Sequence, residues 1–564
     1  MRPAWLLAAL LIVLLAATAF APPASAALSG QVAADAGTPV LVNSLNTPPA
    51  GYRLTGAEVE RIAGRVSNVI AVVHRHRGAH PFAYTKGPGQ WQVSWFTGQG
   101  AQSREIAQVY IDDATGTVTQ AWTGFQVAWT MARGYPGAFG ERVNALYVWL
   151  PLCFLFVLPF IPWRRRPTLL HLDLLVLLGF SVSIAFFNNA NLGMSVPLVY
   201  PFLLYLLVRL LLLAGGRGRP HEPLRLLVPR YWLAIGIVFL VGFRIGLNVT
   251  NSNVIDVGYA GVIGASKLLH GTPLYGHWPL SNVYGDTYGP VNYFAYIPFV
   301  KIFGWSGAWD SLPAAHAASI TFDLLTMLGL FVLGQRIRGV TLGIVLAYAW
   351  AAYPFTLFVL ASDSNDSLVA LLLVVTLLVA SSAPARGVAL ALAGLTKFAP
   401  LALAPLMLRG PDRARTRPRS VALYVLGFGV TVVAAFLPVL LQNNLSAFWH
   451  DSIAYQATRE APFSIWGLYG GLSLEQHLVQ GLGVGLGLLV AFVPRRRDIV
   501  TIAALGAAVI IALQLGITYW FYLYIVWFFP LVIVALFGSY PARVDLPPAP
   551  DPGGFEVRVP VAAG

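Results

Sequence analysis

The chain of 564 residues has little charge and almost no cysteine. Charged residues make up 10% of it and hydrophobic residues 57%, whereas about a quarter of the residues in a soluble globular domain are charged. This composition excludes an ordinary soluble enzyme and predicts a mainly α, polytopic membrane protein. The single cysteine, Cys153, lies inside an apolar run. An intrachain disulfide is therefore excluded, and nothing indicates thiol chemistry.

The net charge of +13 comes from arginines grouped in short segments between apolar runs. Arginines in that position are typical of cytoplasmic loops that orient a membrane protein, so they do not indicate nucleic-acid binding. Alternating the apolar runs between these loops predicts about twelve transmembrane helices plus one re-entrant hairpin. This topology places residues 253–293 at the extracytoplasmic face.

Composition divides the chain into five predicted segments. Residues 1–27 have one arginine, an apolar stretch and small residues before position 27, as in a secretory signal peptide, with an uncleaved anchor as the alternative. The other four segments are an extracytoplasmic α+β domain (28–142), a three-helix membrane segment (143–230), the main transmembrane module (231–540) and a disordered, proline-rich cytoplasmic tail (541–564).

Within the polar segment, the pattern predicts one helix over residues 54–73, with Thr55 and Glu58 as a capping box. Three strands are predicted, at 91–97, 108–112 and 117–122, the last two joined by the turn 113–116. Three histidines in this region have a spacing that fits no standard metal-ligand set, so we predict a solvated basic edge: His74, His76 and His80.

Two carboxylates, Asp256 and Asp286, follow the apolar run 231–247. A carboxylate near the end of a membrane-spanning helix is costly to place and is usually functional. Asp256 is therefore a candidate general base, although it is equally suited to cap a helix that starts near Gly258. Asp286 is a second candidate, but an aspartate in a glycine-rich turn is more often structural.

The alternation of the loops between the two sides of the membrane predicts that two further apolar segments do not cross it. Residues 291–303 are apolar but contain Pro298 and Lys301, and we predict a helix lying along the outer interface. Residues 387–408 are predicted to form the re-entrant hairpin, with Lys397 at its outer tip. A lysine buried there requires an anionic partner.

The remaining candidates lie in predicted outer loops. Arg459 and Lys397 are cations suited to bind a phosphate, and Tyr288 is an aromatic that suits a sugar ring or an isoprenoid tail. Asp366 and His450 are added as substrate-binding candidates, although Asp366, like Asp363, is also placed to cap a helix.

Six motifs resemble, in their order, the GT-C superfamily of membrane glycosyltransferases and are similar to actinobacterial mannosyltransferases that use polyprenyl-phosphate mannose. They are IDVGYAGV (255–262), LLHGTPLYG (268–276), YGDTYGPVNYFAYIPF (284–299), SNDSLVALLL (364–373), AGLTKFAPLALAPL (393–406) and YQATREAPFSIWG (455–467). The hairpin VYIDDATGTV (109–118) resembles PepSY-like envelope domains. The chain departs from the GT-C pattern in the segments before residue 231 and in having Tyr-Gly-Pro at 288–290, where many relatives have a Pro-Pro pair.

The resemblance implies an enzyme that transfers mannose or arabinose from a polyprenyl-phosphate donor to an envelope glycan, lipid or protein. Asp256 would be the base, and Lys397 and Arg459 would contact the donor phosphate. No cofactor is required, and a divalent metal is possible. The alternatives are a flippase of lipid-linked sugars, which predicts charges near the bilayer midplane, and a catalytically silent sensor or assembly protein.

Overall fold

The structure is a computed structural model, and it describes residues 39–86, 88–98, 104–124, 127, 142–162, 166–188, 191–411, 417–459, 461–494 and 497–541. The predicted signal segment 1–27 and, apart from its first residue, the predicted tail 541–564 lie outside the described residues. The described chain has a small α+β part followed by a long helical part.

The small part is a five-stranded antiparallel sheet whose strands follow one another in chain order. The strands are β1 (Val40–Leu41), β2 (His80–Thr85), β3 (Gln90–Thr97), β4 (Arg104–Asp112) and β5 (Val118–Thr123). The three predicted strands are confirmed as β3, β4 and β5. Alternate residues of β3 and β4, such as Trp91 and Val109, are fully buried in one core, as expected for strands with one face on a core.

Two helices cover that core, Gly56–Ala63 and Ser67–Arg75. The capping box of Thr55 and Glu58 is confirmed. The prediction of one continuous helix over 54–73 is wrong, because the first helix ends at Gly64 and the chain is extended at Val66 before the second begins. Glycine is a poor helix former, which favours a break at this point.

The helical part begins at residue 146. Its helices of eight or more residues are Leu146–Val157, Leu169–Asn188, Leu192–Ala214, Arg230–Asn251, Asp256–Leu269, Pro290–Phe303, Pro313–Arg338, Val340–Ala352, Pro354–Ala361, Asp366–Leu378, Ala383–Gly394, Pro418–Leu441, Ser473–Leu489, Ile499–Gly516 and Ile525–Gly538. Shorter turns of helix are Ala404–Met407, Leu445–Phe448, Tyr455–Thr458 and Ile465–Leu468, with a π-helical stretch at Trp449–Ala454.

Within the described residues, six helices are long and apolar enough to cross a membrane. The number rises to seven if Val340–Ala352 and Pro354–Ala361, which meet at a 57° bend, form one broken span. These helices are compatible with a membrane protein. The predicted twelve crossings exceed this number because several predicted spans form shorter helices, among them Asp366–Leu378.

The chain reverses its direction around Lys397, while the re-entrant placement of residues 387–408 in a membrane stays a prediction. The helix Ala383–Gly394 ends there, and a 3₁₀ turn, Ala399–Leu403, leads back along it. The two arms are joined by Arg386, whose guanidinium donates a hydrogen bond to the carbonyl of Met407 at 2.6 Å. The helix predicted over 291–303 is also present, as Pro290–Phe303.

The segment before Asp256 pairs with the break that precedes Asp366. The amides of Asn253 and Ile255 donate to the carbonyls of Ala361 and Ser362, each at 3.1 Å. Gly258 then packs directly on the backbone of Asp363, whose φ of 51° is left-handed. These contacts fix the starts of two helices side by side.

Replacement of Gly258 by alanine is expected to destabilise the protein by about 1–3 kcal/mol, because the new Cβ would overlap the carbonyl oxygen of Asp363. The matched control is Gly242→Ala, since Gly242 is also helical but has open space around its Cβ position. Thermal unfolding in detergent should show a lower melting temperature for Gly258→Ala alone. Equal melting temperatures for the two variants would contradict this packing.

Candidate functional site

Asp256 is the first residue of the helix Asp256–Leu269. The hypothesis that it caps a helix starting near Gly258 is wrong, because the helix starts earlier, and the residue at its N-cap position is Ile255. Its carboxylate lies in the first turn, where a negative charge is stabilised by the helix dipole. Asn282 donates a hydrogen bond to the Asp256 carbonyl at 2.9 Å and ties the helix start to the loop that follows this helix.

Lys397 forms a buried ion pair with Asp366. Its Nζ lies 2.5 Å from Asp366 Oδ1, and the two residues are 8% and 0% exposed. Trp527 Nε1 donates to the same carboxylate oxygen at 2.7 Å. The anionic partner that the sequence required for Lys397 is thus Asp366, which occupies the first turn of its own helix.

Aromatic rings surround this ion pair. The Lys397 ammonium lies 5.5 Å from the ring centroid of Tyr288, 5.7 Å from that of Tyr524 and 5.2 Å from that of Trp527. Rings at these distances attract a cation through their π faces. Tyr524 and Trp527 also stack on each other at 4.1 Å. The ion pair is therefore held in an aromatic, water-poor setting.

Arg459 is the second cation of the site. Its guanidinium lies 3.6 Å from the ring centroid of Tyr519 and 5.6 Å from that of Tyr455. No carboxylate among the described residues forms an ion pair with it. A guanidinium stacked on a ring keeps its in-plane N–H donors available for an anion.

Asp256, Asp366, Arg459 and Tyr524 all interact electrostatically with the hydroxyl of Tyr288. Asp256 also interacts with Lys397. These interactions place the two carboxylates and both cations in one neighbourhood. We call this set the tyrosine-lined cluster: Asp256, Tyr288, Asp366, Lys397, Tyr455, Arg459, Tyr519, Tyr524 and Trp527.

Asp286 lies in a neighbouring set of contacts. It accepts a hydrogen bond from the Gly276 amide at 2.8 Å, and its own carbonyl accepts one from Ser452 at 2.7 Å. Its charge interacts with Asp451 and Lys267. These contacts support the structural interpretation of Asp286 that its position in a turn allowed.

Burial raises the pKa of Asp286 to about 6, and the nearby Asp451 carboxylate acts in the same direction, against the hydrogen bond from Gly276. Because the folded protein keeps this proton longer than the unfolded chain, stability should fall as the pH rises from about 4 to about 6. Asp286→Asn should remove this part of the pH dependence, about 3 kcal/mol.

The measurement is the melting temperature of both proteins across that pH range. Asparagine retains an acceptor oxygen for the Gly276 amide, so the variant isolates the charge. Parallel pH profiles for wild type and variant would contradict the raised pKa.

His450 is exposed on the π-helical stretch beside Asp451. No contact among the described residues joins it to the tyrosine-lined cluster. The sequence placed it with the donor-binding residues because it shares their predicted outer loop, and loop membership alone does not bring side chains together.

Four members of the cluster were not singled out from the sequence: Tyr455, Tyr519, Tyr524 and Trp527. Three of them come from TYWFYLYIVW (518–527), the aromatic stretch between the last two long apolar helices. That density of tyrosine and tryptophan beside an apolar run was the available signal, but its default interpretation is an interfacial belt.

A buried hydrogen-bond network around Asp363 supports the start of the helix that carries Asp256. Asn248 and Ser252 donate to its carboxylate at 2.7 and 2.8 Å, and His316 Nδ1 lies 3.1 Å from it. With these partners, the left-handed backbone of Asp363 is held where Gly258 contacts it. Asp363 therefore positions the start of the Asp256 helix instead of capping the next one.

The part of the chain that the structure describes contains no group of three or more His, Cys, Asp or Glu side chains arranged to hold a metal ion. His74 and His76 lie at the end of the second helix of the small part, and His80 begins β2. The tyrosine-lined cluster combines a carboxylate, a guanidinium that forms no ion pair among the described residues and aromatic walls, which suits a reaction between a hydroxyl group and an anionic, partly apolar molecule. No protein-family profile and no curated protein matches this sequence.

Proposed function

We propose that this protein is a membrane glycosyltransferase that moves a sugar, mannose or arabinose, from a polyprenyl-phosphate donor to an envelope glycan, lipid or protein. The observation that carries the proposal is the tyrosine-lined cluster, in which Asp256 and Arg459 both interact with the hydroxyl of Tyr288 and Arg459 is outside every ion pair among the described residues. A lipid-linked sugar phosphate needs a base for the acceptor, a cation for the phosphate and apolar or aromatic surface for the chain.

In the proposed reaction, Asp256 accepts the proton of the acceptor hydroxyl while the hydroxyl oxygen attacks the anomeric carbon. The bond between that carbon and the phosphate oxygen breaks, and its electron pair leaves with polyprenyl phosphate. Arg459 binds the phosphate and stabilises the charge that develops on it. Attack opposite the leaving group inverts the configuration of the sugar.

The two cations have different parts in this mechanism. Lys397 is engaged by Asp366, so its charge is largely balanced. Arg459 is held by tyrosine rings and has donors left for a ligand. Arg459 is therefore the main phosphate-binding residue, and Lys397 orders the aromatic wall on which the donor lies.

Orientation and topology belong to the same proposal. The arginine-rich segments would be cytoplasmic, and the cluster would then lie at the extracytoplasmic face of the plasma membrane with the small α+β part. The GT-C-like and PepSY-like assignments are retained as proposals, as are the twelve crossings, for which the shorter apolar helices would have to span a locally thin bilayer or pair with their neighbours.

One observation bears on a second candidate, a flippase of lipid-linked sugars. Arg244 and Asp323 form a buried ion pair at 2.5 Å well inside two candidate spans, and ionisable groups inside spans are frequent in transport pathways. Arg244 also donates to the Thr356 hydroxyl at 3.1 Å. These hydrogen bonds hold both side chains in place. The pair is therefore better suited to link two spans structurally than to bind a substrate during transport.

The test uses the full chain in liposomes with radiolabelled polyprenyl-phosphate mannose or arabinose and envelope acceptors. Transfer of label to the acceptor, with release of polyprenyl phosphate, is the expected result. If no donor gives transfer but the labelled lipid crosses the bilayer, the flippase function is correct instead. If neither process occurs, both functions are excluded and the sensor class remains.

A further inference from the structure

The small α+β part contacts the helical part close to the tyrosine-lined cluster. Gln120, on β5, donates a hydrogen bond from Nε2 to the hydroxyl of Tyr284 at 3.2 Å. Two residues further along β5, Trp122 packs edge-to-face on Trp309 at 6.3 Å. The first contact joins the sheet to the loop between the helices Asp256–Leu269 and Pro290–Phe303, and the second joins it to the loop after Pro290–Phe303.

From Tyr284 an unbroken series of ring contacts reaches Arg459. Tyr284 stacks on Tyr455 at 4.5 Å with an interplanar angle of 16°. Tyr455 in turn forms one side of the cradle of Arg459, and Tyr519 forms the other. Tyr284 therefore contacts the ring that lies beside the guanidinium.

Gln120 is held on its own side of the interface. Trp122 Nε1 donates to Gln120 Oε1 at 2.9 Å, which directs the amide nitrogen toward Tyr284. Tyr110, on the same face of the sheet, is buried and accepts a hydrogen bond from Lys86 at 2.7 Å. By contrast Tyr284 is 42% exposed.

We infer that the small domain is a positioning element of the active site: through Gln120, Tyr284 and Tyr455, β5 holds Arg459 in the orientation that binds the phosphate of the donor. Gln120 and Tyr284 are positioning residues, since they act through Tyr455 and do not touch the ligand. The identity of the ligand rests on the proposed function, whereas the mechanical link rests only on the contacts.

The link is tested by placing 3-fluorotyrosine at position 455 of the full chain and recording its ¹⁹F resonance in detergent. Gln120→Ala should shift or broaden this resonance. Gln92→Ala is the matched control, because Gln92 lies on the same sheet but bonds Ser94 within it. The Gln120→Ala/Tyr284→Phe double variant should change this resonance no more than either single substitution does, since both substitutions remove the same hydrogen bond.

The consequence for the ligand is measured as the KM for the polyprenyl-phosphate sugar and as the Kd for farnesyl phosphate. Gln120→Ala and Tyr284→Phe should each raise both by about 2- to 10-fold, as loss of one hydrogen bond permits, with kcat nearly unchanged. A merely structural role would lower the fraction of active protein and leave KM unaltered.

An unchanged ¹⁹F resonance in Gln120→Ala would overturn the inference and leave the proposed function standing. A changed resonance with unaltered KM and Kd would also overturn it. If wild type transfers no sugar while Gln120→Ala shifts the resonance and weakens farnesyl phosphate binding, the positioning role stands and the proposed function fails.

Discussion

Replacement of Asp256 by asparagine is expected to slow sugar transfer by about 100- to 10,000-fold, the usual contribution of a general base. Asparagine has nearly the same shape but cannot accept the proton of the acceptor hydroxyl. Because the loss affects the chemical step, kcat should fall while the KM for the donor stays within a few-fold of its wild-type value. Initial rates with radiolabelled donor measure both quantities.

The control is Asp310→Asn, in the loop that precedes the helix Pro313–Arg338. Asp310 accepts a hydrogen bond from the Leu312 amide at 3.0 Å, and asparagine preserves that acceptor. This variant should transfer sugar at the wild-type rate. Wild-type kcat in Asp256→Asn would remove Asp256 from the mechanism, and the base would then have to be sought elsewhere in the cluster.

Short-range sequence patterns were sufficient to predict part of the fold. The capping box at Thr55 and the alternation in β3, β4 and β5 are short-range patterns, and both are present in the structure. The chain reversal at Lys397 was predictable for a different reason: the alternation of the arginine-rich loops required residues 387–408 to turn back, and a lysine buried there required an anionic partner.

The partner of Lys397 was not predictable, because two helices, Asp366–Leu378 and Ala383–Gly394, separate Asp366 from it along the chain and the two meet only through tertiary packing. The same limit applies to Asp286 and Asp256. Both are in one predicted loop, yet the Asp286 carboxylate accepts a hydrogen bond from the Gly276 amide and its carbonyl accepts one from the Ser452 hydroxyl, so Asp286 is held apart from the cluster. The stacking of Arg459 on Tyr519 likewise joins residues from separate loops.

The break between the first two helices was missed because apolar periodicity continues across it. Gly64 and Val66 change the backbone there without changing the pattern of buried side chains. The difference between the twelve predicted crossings and the six or seven candidate spans has a similar origin. An apolar run shows that a segment is buried but not whether protein or lipid covers it. The helix Ile499–Gly516 is an example, because 89% of its apolar window is buried within the protein.

Lys397→Met is expected to destabilise the protein by about 3–5 kcal/mol, because it leaves the carboxylate of Asp366 buried without its cation. Lys397→Met/Asp366→Asn should recover most of that loss. The asparagine is neutral, and its oxygen still accepts the hydrogen bond from Trp527. Thermal unfolding in detergent of the two variants and wild type measures the difference.

The double variant also separates the structural role of Lys397 from a direct role in transfer. If Lys397 only balances Asp366 and orders the aromatic wall, restored stability should bring back most of the transfer activity. If its charge contacts the donor phosphate, the double variant should be stable yet bind the donor weakly, with a raised KM. A single variant as stable as wild type would contradict the buried ion pair itself, because a lone buried carboxylate cannot be accommodated without cost.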